Sequence, residues 1–519
     1  MNSQEILRFC LEKGLLLDKE VLGMFSETDD FESVKLILEK IKDRTQTKII
    51  TKNIFSQNRE HVSQFFSSLP KENQKRLEGL KIKLGMSIEI LKEVSGVEKG
   101  FVVSSDNFGG VKVVSSDSIP RKKLEVKDFV TYFRNRFSEM KNMLQEHSEL
   151  NNLVSINKIS GSRQGISVIG IVSDKRVTKN KNILFEIEDL TGKIRVLVNK
   201  NQSEIYEKAE EIALDSVIGF KGSGNREIIF VSDIIFSECM IAERKKSPVE
   251  EYALFIGDLH IGSKLFLEEN FLKFIDYLNM KLFMDSEVSK IKYLFIVGDL
   301  ITGVGNYPGQ EADLRIKDIE EQFLKSAELL GKIRKDIKII ISPGNHEGVR
   351  LMEPQPLFNK KYAWPLYDLD NVILAENPAQ VNIGFRNNFS GFNVLVYHGF
   401  SFPFYTNNVA RLMLEKAMNA PEKIMTYLLK NRHLAPTHSS TQYFPHEKDF
   451  HLIRTIPDIF VSGHTHKSAV SYYNNVLMIS ASSWESKTAY MEKMGSEPDH
   501  CKVPMFNLKT REIKILDFE

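Results

Sequence analysis

Residues 252–260 read YALFIGDLH: five apolar positions, then a Gly-Asp turn and a histidine. The plan returns downstream as YLFIVGD at 293–299, IKIIISPGNH at 337–346, VLVYHG at 394–399 and IFVSGHTH at 459–466. Short runs rich in Ile and Val, bounded by turn residues, suit strands inside a parallel or mixed sheet. Side chains just past the carboxyl ends of neighbouring strands converge on one crevice, and glycine permits the close backbone approach that a ligand loop needs. Asp258, His260, Asp299, Asn345, His346, His398, His464 and His466 are therefore expected to meet in one site. One such turn is usually only a turn; five in the same context point to a shared purpose.

The segments between the runs carry helical spacing. Phe271, Phe274, Ile275 and Leu278 fall at i, i+3, i+4 and i+7, and Phe323, Ala327 and Leu330 repeat the logic. Strand and helix alternate, which predicts a layered α/β domain over 250–519.

Two divalent cations about 3.5–4 Å apart need an anionic oxygen that bridges them and terminal imidazole, carboxylate or amide ligands around each. Asp299 is the natural bridge. A mixed His/Asp/Asn set argues for a transition metal over calcium or magnesium.

With these residues in view, the chain resembles the calcineurin-like metallophosphoesterase superfamily, whose motifs run D-x-H, G-D, G-N-H, H and G-H-x-H. The surrounding wording resembles the small, exonuclease subunit of the archaeal family D DNA polymerase. The telling stretches are DLHIGSKLFLEEN (258–270), PGNHEGVRLMEPQP (343–356), YHGFSF (397–402), RHLAP (432–436) and GHTHKS (463–468), with VKDFVTYFRNRFSEMK (126–141) upstream. Glu353-Pro354-Gln355-Pro356 is the most specific of them, and the likeness runs from about 125 to 519.

The resemblance implies one cation held by Asp258, His260, Asp299 and His466, and a second held by Asp299, Asn345, His398 and His464. Manganese is the favoured ion, with iron, zinc or nickel as alternatives. His346 is left free to act on the substrate, and Glu347, where close relatives usually have Asp, is expected to orient it. The implied activity is metal-assisted hydrolysis of a phosphodiester by in-line attack of an activated water. In this family that means 3′-to-5′ removal of nucleotides from single-stranded or mismatched DNA ends, which is proofreading. Polymerisation is assigned to a large partner subunit in a heterodimer, with the sliding clamp as a further candidate partner. Related small subunits that have become scaffolds have lost ligands; here every ligand position is filled. A free-standing phosphoesterase or repair nuclease and an inactive scaffold are the alternatives.

The 70 basic and 69 acidic residues nearly cancel, so overall charge does not announce a stand-alone nucleic-acid binder. DNA contact must come from local patches or a partner; Arg350, beside the Gly-Asn-His turn, and Lys430 with Arg432 are the candidates. Cys10, Cys239 and Cys501 have no C-x-x-C spacing, which fits a reducing cytoplasm and offers neither a disulfide framework nor a zinc ribbon. No run approaches the roughly 18 apolar residues of a membrane span, and Glu5 and Arg8 stand where a secretory leader would be apolar. A cytoplasmic protein without a membrane partner is expected.

Upstream, residues 1–70 read as short helices, with a stripe at Val34, Ile37, Leu38 and Ile41 behind a capping box at Asp29 and Glu32. Residues 71–125 read as a flexible linker and 126–150 as a connecting helix with Phe129, Phe133, Phe137 and Met140 on one face. Strands at 168–172, 184–188, 193–198 and 228–231, with Asp189-Leu190-Thr191-Gly192 as a hairpin turn, make 151–240 resemble an OB-fold barrel. Its strands are not conspicuously aromatic, which favours docking over base stacking. Residues 243–246 read as a charged linker, and a helical insertion is expected over 409–429. His61, His147, His433, His438, His446, His451 and His500 lack strand-end context and read as surface or structural. The whole is a multidomain α+β chain: helical domain, barrel, then metallophosphoesterase.

Overall fold

The computed structural model describes residues 3–18, 21, 22, 25, 34, 35, 38, 49, 50, 110–114 and 123–519 apart from 282–285. They fall into two compact units, 1–99 and 100–519. In the first, the helix Ser3–Glu12 buries Ile6 and Cys10, and Leu16–Leu17 pairs in parallel with Ile49–Ile50. Val34 and Leu38 are helical and buried; Ile37, Ile41 and the Asp29-Glu32 cap lie outside the described residues. So do His61 and most of the expected linker.

The linker reading does not hold for Val111–Val114. These residues form a strand antiparallel to Ala379–Ile383, with Val111 buried opposite Ile383 and Val113 opposite Val381. Four residues are too few to show a period, and the partner strand lies far off in sequence.

The helix Val126–Gln145 opens with a capping box between Glu125 and Asp128. Phe137, Met140 and Leu144 bury against Ile169, Val217 and Ile235 of the next domain. That domain is a closed five-stranded barrel, ordered Gln164–Val177, Ile183–Glu188, Lys193–Val198, Ile228–Ile235 and Val217–Gly224. The Asp189 carboxylate accepts from the backbone amides of Thr191 and Gly192 at 2.7 and 3.0 Å, closing the expected hairpin. Val217–Gly224 and the helix Ser203–Glu211 complete the barrel beyond the four expected strands.

The domain over residues 250–519 has four layers. One six-stranded sheet runs Val372–Leu374, Lys338–Ser342, Ile291–Val297, Tyr252–Ile256, Lys502–Asn507 and Ile513–Asp517, its first four strands parallel. The second contains Phe392–Val396, Ile459–Ser462 and Val476–Ser480 in parallel, flanked by antiparallel edges. Alternation decides the packing. Ala253, Phe255, Phe295 and Val297 face Val394, Val396, Val461 and Ile479 between the sheets. Leu254, Ile256, Leu294 and Ile296 face the helices Glu268–Leu278 and Ile319–Gly331 through Phe271, Phe274, Ile275, Leu278, Phe323 and Leu330. Helix Pro421–Asn431 covers the other side through Leu428 against Phe460 and Met478. Strands buried on both faces read as unbroken apolar runs, as these do.

The insertion expected as one helix over 409–429 is broken into Ala410–Leu414, a short turn and Pro421–Asn431. Lys416 is left-handed at φ 49°, and Pro421 fits the first position of a helix but cannot donate to a preceding turn.

A candidate two-metal centre at the strand ends

The five turns belong to two sheets, yet their ends meet. Asp258 donates its backbone amide to Gly298 O and His260 to Asp299 O, both at 3.0 Å, and Gly463 N reaches His398 O at 3.0 Å. Asp258, His260, Asp299, His464 and His466 all take left-handed backbone angles, with φ of 51, 52, 51, 68 and 54°. Each such non-glycine residue costs on the order of 1–3 kcal/mol, and such strain gathers where function needs it. Five of the seven expected ligands carry it.

Close approach explains the glycines. A Cβ on Gly344 would lie 2.3 Å from Asp299 Oδ1, and one on Gly298 2.3 Å from His398 Nδ1. Gly344→Ala should therefore push Asp299 aside; calorimetric manganese titration is expected to lose at least one of two binding steps, with the fold retained by circular dichroism.

The donor atoms converge, and His346 joins His260 and Asp299 between two outer groups. Asp258, His260 and His466 form one outer group, Asp299, His398 and His464 the other, each with its donor atoms within 4.8 Å of one another. His260 Nε2 and His466 Nε2 are 3.3 Å apart, and His466 Nε2 is 3.5 Å from Asp258 Oδ1. In the second group, Asn345 Oδ1 lies 3.0 Å from both His398 Nε2 and His464 Nδ1. Asp299 Oδ2 sits between the groups, 3.3 Å from His398 Nε2 and 3.9 Å from His260 Nε2. That is the bridge position.

Backbone contacts hold the inactive edges of these side chains. Asp299 Oδ1 accepts from His346 N at 3.0 Å, Asp258 accepts from His464 N at 3.0 Å, and His398 Nδ1 donates to Val297 O at 2.9 Å. Burial pulls His260 well below its usual range, and burial with the charge of His398 brings His464 to about 3, so both are neutral imidazoles. Burial works against a proton on His398, but the Asp299 carboxylate outweighs it and pushes the ring up to about 10. A cation at Asp299 would displace that proton. Lone pairs crowded this closely, at residues 0–7% exposed such as Asp258, Asp299, His398 and His466, suit a cation among them. The residues fit two divalent ions.

His346 stands at the same place in a different role. Its Nδ1 lies 2.9 Å from Thr302 O, an acceptor only, and 3.1 Å from Asn306 Nδ2; the shorter contact places the proton on Nδ1, and Nε2 faces Asp299 Oδ2 at 3.9 Å. Asn306, which the sequence reading missed, braces it by donating to Thr302 O at 3.0 Å and His346 O at 3.3 Å. Glu485 is a second missed residue; it is buried beside Ser263, and burial raises its carboxyl above the usual range against the opposing pull of Ser263 and His466.

Glu347 does not orient the His346 ring as expected. Its carboxylate accepts from the backbone amides of Leu300 at 2.5 Å and Gly344 at 2.8 Å, clamping the Asp299 turn to the Asn345 turn. Glu347→Ala leaves two buried amides without partners, at roughly 1–3 kcal/mol each. A lowered urea midpoint with weakened metal uptake is the expected result.

The basic candidates separate. Arg350 is exposed, its guanidinium bonded to Met352 O and Pro354 O. Lys430 pairs with Glu211 of the barrel helix at 2.5 Å, and Arg432 donates to Ile453 O and Arg454 O at 2.9 Å. Both serve internal contacts.

Residues 253–468 match the calcineurin-like phosphoesterase family. The chain is 35% identical over 398 residues to the DNA polymerase II small subunit of Methanothermobacter thermautotrophicus, covering 76% of this chain and 80% of that one. The chain belongs to the DNA polymerase II small subunit family. Its Pyrococcus horikoshii member is 34% identical over 469 residues, covering 87% of this chain and 73% of that one. Identity to the Pyrococcus furiosus member is 36% over 403 residues, 76% of this chain but 64% of that longer one. The family's metallophosphoesterase domain is thus present here with a full set of candidate ligands. Among the described residues, no helix is long and apolar enough to cross a membrane.

Proposed function

We propose that this chain is the proofreading subunit of an archaeal replicative DNA polymerase, a cytoplasmic two-metal 3′-to-5′ exonuclease acting on single-stranded or mismatched DNA ends. The observation that carries this reading is the convergence of the other six expected ligand side chains around Asp299. A scaffold has no use for that set. The names of the relatives support a polymerase context, in which a large partner subunit polymerises.

When bound, two divalent cations supply Lewis acidity toward the phosphoryl oxygens and toward the attacking water; manganese is the proposed ion. Asp299 holds the two ligand groups together through Oδ2 while Oδ1 stays on His346 N. His346 Nε2, left open by the Nδ1 bond to Thr302 O, can hold the proton for the departing sugar oxygen. Arg350 is proposed to steady the DNA backbone beside it. Contact with a sliding clamp belongs to the same proposal.

The test uses a primer labelled at its 5′ end and carrying a mismatched 3′ terminus, incubated with manganese and the chain, alone and with its large subunit. Stepwise shortening from the 3′ end is expected. Cleavage confined to small phosphate esters would favour a free-standing phosphoesterase instead.

A further inference from the structure

A second buried polar cluster lies behind the ligand turns, and the reaction itself makes no use of it. Arg136 Nε meets Asp449 Oδ2 at 2.5 Å, Asp449 Oδ1 lies 3.7 Å from His451 Nδ1, and His451 Nε2 meets Glu353 Oε2 at 2.7 Å. The side chains of all four are at most 2% exposed. Burial opposes a charge on His451, but Asp449 and Glu353 hold its proton up to about 9. The signs therefore alternate along the chain: positive, negative, positive, negative.

Both ends lead somewhere. Arg136 sits on the helix Val126–Gln145, whose Phe137 and Met140 pack on Ile169 and Val217 of the barrel. At the other end, Asn377 Nδ2 lies 3.5 Å from Glu353 Oε1 and donates to Gln355 Oε1 at 2.6 Å. Gln355 Nε2 then donates to Gly344 O at 2.7 Å, and Asn377 Oδ1 accepts from His398 N at 2.9 Å. Gly344 precedes Asn345, so the network touches the turns of two ligands of one group, Asn345 and His398. Among the described residues, none of its hydrogen bonds reaches Asp258, His260 or His466.

Burying four charges is a poor route to stability, because well-packed apolar side chains often do as well or better. A directional set of bonds onto two ligand turns serves position instead. Partners behind metal ligands commonly govern affinity as strongly as this.

We infer that Asn377, Gln355, Glu353, His451, Asp449 and Arg136 are positioning residues for the second cation, tying the Asn345 and His398 turns to the helix that carries the barrel. This rests on the two-cation reading. The barrel thereby gains a mechanical route to one half of the metal centre.

The test is calorimetric titration of the full chain with manganese, for wild type, Asn377→Ala, Glu353→Gln and Arg136→Lys. Asn377→Ala is expected to weaken one binding step by about 10–100-fold and leave the other within about twofold, measured against wild type. Glu353→Gln and Arg136→Lys should weaken the same step by less. Should Asn377→Ala fail to fold, the isosteric Glu353→Gln decides by whether one binding step weakens while the other stays within about twofold. Two steps unchanged in every variant, or both weakened equally as a merely structural role predicts, would overturn the network alone. A wild-type chain that binds fewer than two ions contradicts the two-cation reading and this inference together.

Discussion

Asp299→Ala is expected to lower the rate of DNA 3′-end hydrolysis by about three orders of magnitude, since Lewis-acid stabilisation of this kind contributes several kcal/mol and each ~1.4 kcal/mol is a factor of ten. The reason is position. Asp299 Oδ2 lies between the Asp258-His260-His466 group and the His398-His464 group. Its Oδ1 also receives the His346 amide, so truncation frees the catalytic-loop backbone as well. Quenched-flow or gel assays on a mismatched primer, with manganese in excess, read the loss directly. Activity within tenfold of wild type would remove Asp299 from the bridge.

His346→Ala should be nearly as damaging and differ in kind. General acid-base groups contribute about 10²–10⁴-fold, and His346 stands outside both proposed ligand sets, with Nδ1 committed to Thr302 O. The variant should therefore lose turnover while taking up two manganese ions with wild-type affinity. Loss of an ion together with turnover would make His346 a ligand. A leaving group that needs no proton should recover much of the lost rate, which separates the two roles a second way.

Much of this site is legible in the sequence because its ligands are local events. Each sits at the end of a run such as 252–256 or 293–297 that has few other readings, and all five runs are strands within a residue or two of expectation. The stripes at Phe271, Phe274, Ile275 and Leu278 work for the same reason: the signal and its cause share one segment. What the sequence hides depends on distant partners. Val111–Val114 becomes a strand only because Ala379–Ile383 offers an edge.

The barrel strand Val217–Gly224 is not among the expected strands and carries three glycines, and a Cβ on Gly222 would lie 2.2 Å from Phe230 O, where the pairing with Ile228–Ile235 shifts register. Lys430 reads as a free cation until Glu211 is found 219 positions away. Glu347 was expected beside a ring and stands instead on two backbone amides, which no side-chain pattern records. His433 and His451 read as structural and are buried, but what they hold together emerges only in three dimensions.

The most direct test of the account is a crystal of the chain grown with manganese and measured at the manganese absorption edge. Two anomalous peaks about 3.5–4 Å apart, bridged by Asp299 and flanked by Asp258, His260 and His466 on one side and Asn345, His398 and His464 on the other, are the predicted result. A single peak, or two that Asp299 does not join, would contradict it.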